Sequence, residues 1–196
     1  MPSVALAKKM AQMGADAVVA EGTEAGGHIG ELSTMALVPQ VCDAVKIPVI
    51  AAGGIGDGRG VAAAFMLGAK GVQVGTRFLL AQECNVHPAY KALVLKAKDI
   101  DTIATGRRLG HPVRALKNKF AREFAAMEYD ASVTNEALEA FGRGALKRSA
   151  VDGDTATGCF MAGQIAGMLK HEQSAKEIIE EMFGQAFALK EQAWGK

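Results

Sequence analysis

The sequence predicts an α/β fold, a parallel sheet with helices outside it, and three observations carry that reading. First, short apolar runs alternate with helical ones. Asp16–Ala20, Ile47–Ala52 and Gly71–Thr76 read as strands, while Val4–Met13, Val38–Val45 and 59–68 read as helices. Alternation of this kind implies parallel strands joined by crossover helices. Second, a repeat is visible: MGADAVVAEG (13–22) and LGAKGVQVGT (67–76) both run helix end, glycine, alanine, strand, glycine. Third, two of the strands end in glycine-bearing loops, AAGGIGDGRG at Ala51–Gly60 and VQVGTRF at Val72–Phe78.

Taken in order, Val4, Leu6, Met10 and Met13 share helical spacing, and Gly14 is a stop. A strand follows, then the loop Glu21–Gly30, EGTEAGGHIG. Val38–Val45 returns to helix with Pro39 in its first turn, where the missing N–H is harmless. The strand Ile47–Ala52 runs into Gly53, Gly54 and Gly56, and the helix-forming Val61–Leu67 comes next. After Phe78 the pattern changes. His87–Ala97 reads as a short helix and 99–113 as polar and irregular. Lys117–Met127 and Ala137–Arg148 read as helices, linked by a loop near 130–135. Gly153–Gly158 is a turn before Cys159–Lys170, and Ser174–Trp194 is an amphipathic helix that docks by one face.

Three strands cannot close a barrel, which needs eight and typically about 250 residues. The expectation is therefore the C-terminal part of a (β/α)8 TIM barrel, with about three parallel strands, outer helices, an added helical segment and the N-terminal strands absent. On that reading 1–80 is barrel, 81–158 a helical insertion and 159–196 C-terminal helices packed on the barrel. The Met1-Pro-Ser-Val start, with no strand before it, belongs to the same expectation. A small open α/β sheet is the alternative.

Composition narrows the function classes. The chain has 196 residues, 49% of them hydrophobic and 22% charged, which suits one globular domain. Its formal net charge of +1 shows no basic stripe, so no nucleic-acid partner is expected. No apolar run approaches the roughly 20 residues that span a bilayer, and no signal-peptide core is seen, so no membrane partner is expected. Three cysteines, Cys42, Cys84 and Cys159, form no C-x-x-C. They suit reduced thiols in a cytoplasm better than a disulfide framework or a metal site.

Two groups of residues carry chemistry. Gly53, Gly54, Gly75 and Thr76 offer backbone N–H groups and a hydroxyl that can converge on a phosphate at a helix N-terminus. Loops after strands seven and eight of a barrel commonly do this. The plainer reading is that the glycines only permit tight turns. His28 lies in a loop at the C-terminal end of a strand, flanked by Gly26, Gly27 and Gly30. An isolated loop histidine is usually structural, but this backbone is shaped for close approach. His111, near Arg108 and Arg114, is placed to meet substrate or the nicotinamide nucleotide, but a solvated basic loop is the favoured reading.

EGTEAGGHIG (21–30), IPVIAAGGIG (47–56) and VQVGTRF (72–78) together resemble the nitronate monooxygenase/2-nitropropane dioxygenase superfamily. Lys98–Thr102, GHPVRALKN (110–118) and MAGQIAG (161–167) look most like its flavin-dependent enoyl-acyl-carrier-protein reductase II branch, the FabK type. The resemblance implies FMN as cofactor, its phosphate on Gly53, Gly54, Gly75 and Thr76 with Ala52 beside them, and NADH or NADPH as reductant. It also implies flavin contacts from Gly22, Gly26, Gly27, Met161, Ala162, Gly163 and Gln164, and a ribityl contact from Glu21. His28 becomes the catalytic residue, a proton donor or carbonyl polariser for a trans-2-enoyl thioester carried on acyl carrier protein or coenzyme A. Close helix packing would equally explain the small residues at 162–163, and a turn cap would explain Glu21. Nitronate monooxygenase is the alternative activity, although Ile29 after His28 and the helical tail favour the reductase. A third reading is a non-catalytic, phosphate-binding fragment whose exposed sheet edge drives association. A homo-oligomer is expected.

Overall fold

The computed structural model describes residues 1–194. Helix α1 (Val4–Gln12) starts where the Ser3 hydroxyl accepts the Leu6 N–H, and it leads into strand β1 (Val18–Glu21). The two-residue strand β2 (Gly27–His28) and helix α2 (Thr34–Ala44) follow, then β3 (Val49–Ala52), α3 (Gly58–Met66) and β4 (Gly71–Gln73). Strands β1, β3 and β4 form a parallel sheet in that order, with Val18 opposite Val49 and Ile50 opposite Gly71.

Period-two alternation gives this sheet two unlike faces. Val18, Ala20, Val49 and Ala51 point into the main core, against Leu37, Val38 and Val41 of α2 and Val61 and Ala64 of α3. On the opposite face Val19, Glu21 and Ile50 are half-buried and Gln73 is exposed. The core is completed by the last helix, α8 below, through Ile178, Met182 and Ala186, which recur at helical spacing. That helix lies so close to α3 that a Cβ on Gly58 would meet Gln185 Cβ at 2.3 Å.

Beyond β4 a 3-10 turn (Thr76–Leu80) leads to α4 (Pro88–Lys96), then β5 (Thr102–Thr105) and β6 (Val113–Leu116). Helices α5 (Lys119–Tyr129), α6 (Asn135–Gly142) and α7 (Ala145–Ala150), a 3-10 turn (Gln164–Met168) and α8 (Ala175–Trp194) complete the chain. Strands β2, β6 and β5 make a second, antiparallel sheet. Because β2 belongs to the first 80 residues, that sheet is shared across the change of pattern at Phe78.

Four local expectations are corrected. The polar stretch 99–113 is not irregular: it holds β5, none of whose residues is fully buried, and enters β6. Helix α2 begins at Thr34, not Val38, so Pro39 lies inside it rather than in its first turn. The cap comes from a distant residue, the Glu24 carboxylate accepting the Thr34 N–H at 3.0 Å. The segment Ala137–Arg148 is broken into α6 and α7 around Arg143 and Gly144, the latter left-handed at φ 73°. At 161–168 no α-helix forms. Met161 instead bridges Ala115 of β6, and a 3-10 turn follows.

Candidate functional site

The carboxyl ends of β1, β3 and β4 surround a cavity of about 340 Å³. Of the residues expected to bind cofactor, Glu21, Gly26, Gly27, Ala52, Gly53, Gly54, Gly75, Thr76, Met161 and Gly163 line it. Gly22, Ala162 and Gln164 do not. Gly22 lies behind the wall, donating to the Ala52 carbonyl at 2.9 Å, where a Cβ would overlap Thr34 Oγ1. Ala162 is in the second core, and the Gln164 side chain is exposed, its backbone N–H bonded to the Glu24 carbonyl at 2.9 Å.

Much of the wall is main chain. Gly53 and Gly54 take left-handed conformations, φ 87° and 72°, turning the chain sharply at the end of β3. Among the described residues, the N–H groups of Gly54 and Gly75 donate to no other protein group. A Cβ on Gly75 would project into open space. Thr76 Oγ1 accepts the Gly163 N–H at 2.9 Å, which leaves its own proton for a ligand. The Gly26 and Gly163 segments cross so tightly that a Cβ on Gly26 would lie 2.6 Å from the Ala162 carbonyl carbon.

The expected anion site at a helix N-terminus is corrected. Asp57 already caps α3, accepting the Arg59 and Gly60 N–H groups at 2.9 and 3.4 Å, while the Gly58 N–H donates to Gln185 Oε1 at 3.1 Å. Burial alone would raise the Asp57 pKa, but hydrogen bonds and charge from Arg59 outweigh it and hold the carboxyl below its usual range. The cavity instead offers the N–H groups of Gly54 and Gly75 and the Thr76 hydroxyl. Glu21 reaches the same cavity with its pKa raised by burial, a shift the Met1 ammonium partly opposes.

A second cavity of about 450 Å³ lies between the antiparallel sheet and α5–α7. Leu109, Val113, Phe120, Phe124, Leu138, Ala145 and Leu146 give it a mainly apolar wall, and Met161 lines both cavities. The Met161 carbonyl is held by the Tyr90 hydroxyl, which donates to it at 2.6 Å. Cys159, also in the wall, has its thiol pushed up to about 11 by burial, so it stays protonated.

His28 is exposed and lines this second cavity, not the first, because β2 pairs with β6 and carries it to the partition between them. His111 is exposed on the same cavity, its ring centroid 6.2 Å from that of His28. The basic-loop reading of 108–114 is corrected at Arg114. It is 8% exposed, donates from Nε to the Thr23 carbonyl at 3.0 Å, and has its pKa lowered by burial. The basic-loop reading is also displaced at His111, which lines the apolar cavity, while the cavity itself has no local pattern. The signal was the run GHPVRALKN, which turns into β6.

Parallel β/α units with glycine turns at their carboxyl edge define the class, an α/β protein of the (β/α)8 barrel type. The comparisons name the family. The chain belongs to the nitronate monooxygenase family, whose model matches residues 1–185. A probable nitronate monooxygenase of Staphylococcus saprophyticus is 38% identical over 185 residues, covering 88% of this chain and 51% of that protein. An indene-carboxyl-CoA dehydrogenase of Mycobacterium tuberculosis is 38% identical over 222 residues, covering 92% of this chain and 62% of that one. Among solved structures, FabK from Thermotoga maritima superposes with a TM-score of 0.96 at 47% identity, covering all of this chain and 62% of that one. Nitroalkane oxidase from Streptomyces ansochromogenes gives 0.83 at 29% identity, covering 98% of this chain and 58% of that one. The chain thus spans between half and two thirds of the length of these relatives.

Proposed function

We propose that this chain provides the cofactor cradle and acyl site of an FMN-dependent reductase of trans-2-enoyl thioesters, carried on acyl carrier protein or coenzyme A. The observation that carries the reading is the shared partition: a main-chain cavity with phosphate donors and a larger apolar cavity meet at Met161, with His28 on the strand beside it. The residues present fit FMN. Gly54, Gly75 and Thr76 would donate to the phosphate, Glu21 would bond a ribityl hydroxyl, and Gly26 and Gly163 let their two segments cross closely in the cavity wall. When bound and reduced by NADH or NADPH, the flavin supplies hydride for the β-carbon. His28 supplies the proton that must reach the α-carbon, or polarises the thioester carbonyl. Phe120, Phe124 and Leu138 exclude water from the acyl chain.

Nitronate monooxygenase is the second reading, favoured by the family model and by the Staphylococcus relative. A small nitronate makes little use of an apolar cavity of about 450 Å³. A homo-oligomeric, cytoplasmic enzyme is part of the proposal. The test begins with the visible spectrum of the protein in excess FMN, where a shifted, retained flavin band is expected. NAD(P)H consumption in step with a crotonyl thioester supports the reductase. Oxygen consumption with a nitronate and no nicotinamide would replace it by the monooxygenase, and an unshifted flavin spectrum would sink the cradle.

A further inference from the structure

We infer that His111 is a second substrate-contacting imidazole of this site, donating to the thioester oxygen while His28 delivers the proton, and that Glu128 is the positioning residue that holds His111 there. The inference rests on the enoyl-thioester reading above. It begins with the turn between β5 and β6. Gly106 and Gly110 bracket that turn in left-handed conformations, φ 83° and 80°, and His111 follows directly. Glu128, on α5 and only 9% exposed, accepts the Gly106 N–H at 3.0 Å and the Arg108 N–H at 2.8 Å. The Arg108 side chain adds bonds to the Glu128, Asp130 and Val133 carbonyls and to Asn135 Oδ1.

A buried carboxylate is costly unless its oxygens are satisfied, so spending one on a turn at the surface marks a turn whose position matters. The turn is bolted to α5 and to the start of α6, the helices that wall the apolar cavity. What it presents there is His111, its ring tilted 59° to that of His28 across a centroid distance of 6.2 Å. Both rings line the same cavity, so one small polar group at its mouth would lie within reach of the two. A thioester carbonyl at the mouth of an acyl cavity is such a group.

The chemistry needs two donors. Reduction of the enoyl thioester at its β-carbon would move the electron pair of the C=C bond onto the α-carbon and the thioester oxygen. A hydrogen bond from His111 stabilises the charge arriving on oxygen. A proton from His28 then forms the C–H bond at the α-carbon, and the exposed imidazole regains its proton from water. The product is the saturated thioester, with one hydride and one proton added.

The test is histidine ring NMR of the protein titrated with hexanoyl-pantetheine, a saturated thioester that cannot be reduced. Both the His28 and His111 ring signals should shift saturably. In Glu128→Gln the His111 shift should shrink while the His28 shift persists. With enoyl thioester and NAD(P)H, His111→Phe should lower kcat roughly 100-fold, as loss of an oxyanion donor does. His111→Gln, which keeps an N–H donor, should recover part of it, and flavin reduction by NAD(P)H should be unchanged in both. A His28 signal that shifts alone, or a His111→Phe variant with wild-type kcat, overturns the assignment of His111 and leaves the reductase reading standing. If neither ring responds, the apolar cavity does not hold the thioester and both fall.

Discussion

The two cavities share Met161 and are built on opposite plans. The cradle at the end of the parallel sheet is walled largely by backbone, so its shape depends on side chains being absent at Gly26, Gly53 and Gly163. The apolar cavity is walled by side chains, with Phe120, Phe124 and Leu138 standing on helices that have their own small core. A backbone site binds what every relative with the same chemistry must bind, because glycine cannot be varied without distorting the chain. A side-chain site can be resized one residue at a time. On the function proposed above, the cradle would hold the cofactor and the apolar cavity would set the choice of substrate.

The largest expected effect breaks the cradle. Gly53→Ala places a Cβ 2.8 Å from the Gly22 carbonyl oxygen at a φ of 87°. It should cost about 3 kcal/mol in urea unfolding and abolish FMN retention. Leu138→Ala tests the other plan. Its side chain is fully buried among Phe120, Phe124 and Ala145, so the loss should also be about 3 kcal/mol. Here, however, the flavin spectrum should survive. A variant that loses flavin as readily as stability would erase the distinction between the two walls.

Gly75→Ala sharpens the comparison without unfolding anything. Its Cβ meets no protein atom within 4 Å and its φ is negative, so the melting temperature should hold. If the space belongs to a phosphate, FMN affinity should drop roughly tenfold, about 1.4 kcal/mol, while riboflavin affinity stays constant. Equal losses for the two flavins would remove Gly75 from the phosphate site.

The smallest effect concerns Glu21. Its raised pKa means the folded protein holds that proton more tightly than the unfolded chain. The resulting stability is present below the ordinary value of 4.5 and declines as pH rises through the shifted value. Glu21→Gln should flatten that decline, by about 0.5 kcal/mol or less, since the half-exposed carboxylate is well screened. Urea unfolding between pH 4 and 7 reads it, and an unchanged slope would assign the decline to another group.

The parallel half of the molecule was legible because its signals are local. Three apolar runs, helical periods between them and glycines at their ends are properties of neighbours in sequence; β3 and β4 lie within the runs that predicted them, and β1 passes its run by one residue, Glu21. The antiparallel sheet was not legible. Strand β2 has two residues, and β5 (TIAT) begins a polar, glycine-punctuated stretch with no buried face of its own, so neither it nor β6 beyond it stands out as an apolar run. They exist because each finds partners far along the chain, Gly27 opposite Arg114 and Thr102 opposite Leu116. The start of α2 was missed for the same reason, its cap being supplied by Glu24.

By itself the sequence determined the β/α alternation, the glycine turns that form the cradle and the family to which they belong, because each depends on residue type and short spacing. Only the tertiary structure decided that Asp57 closes the N-terminus of α3, that His28 faces the apolar cavity, and that His111 joins it. Those outcomes depend on which hydrogen-bonding groups and apolar surfaces meet once distant segments pack, and short-range spacing does not encode such meetings.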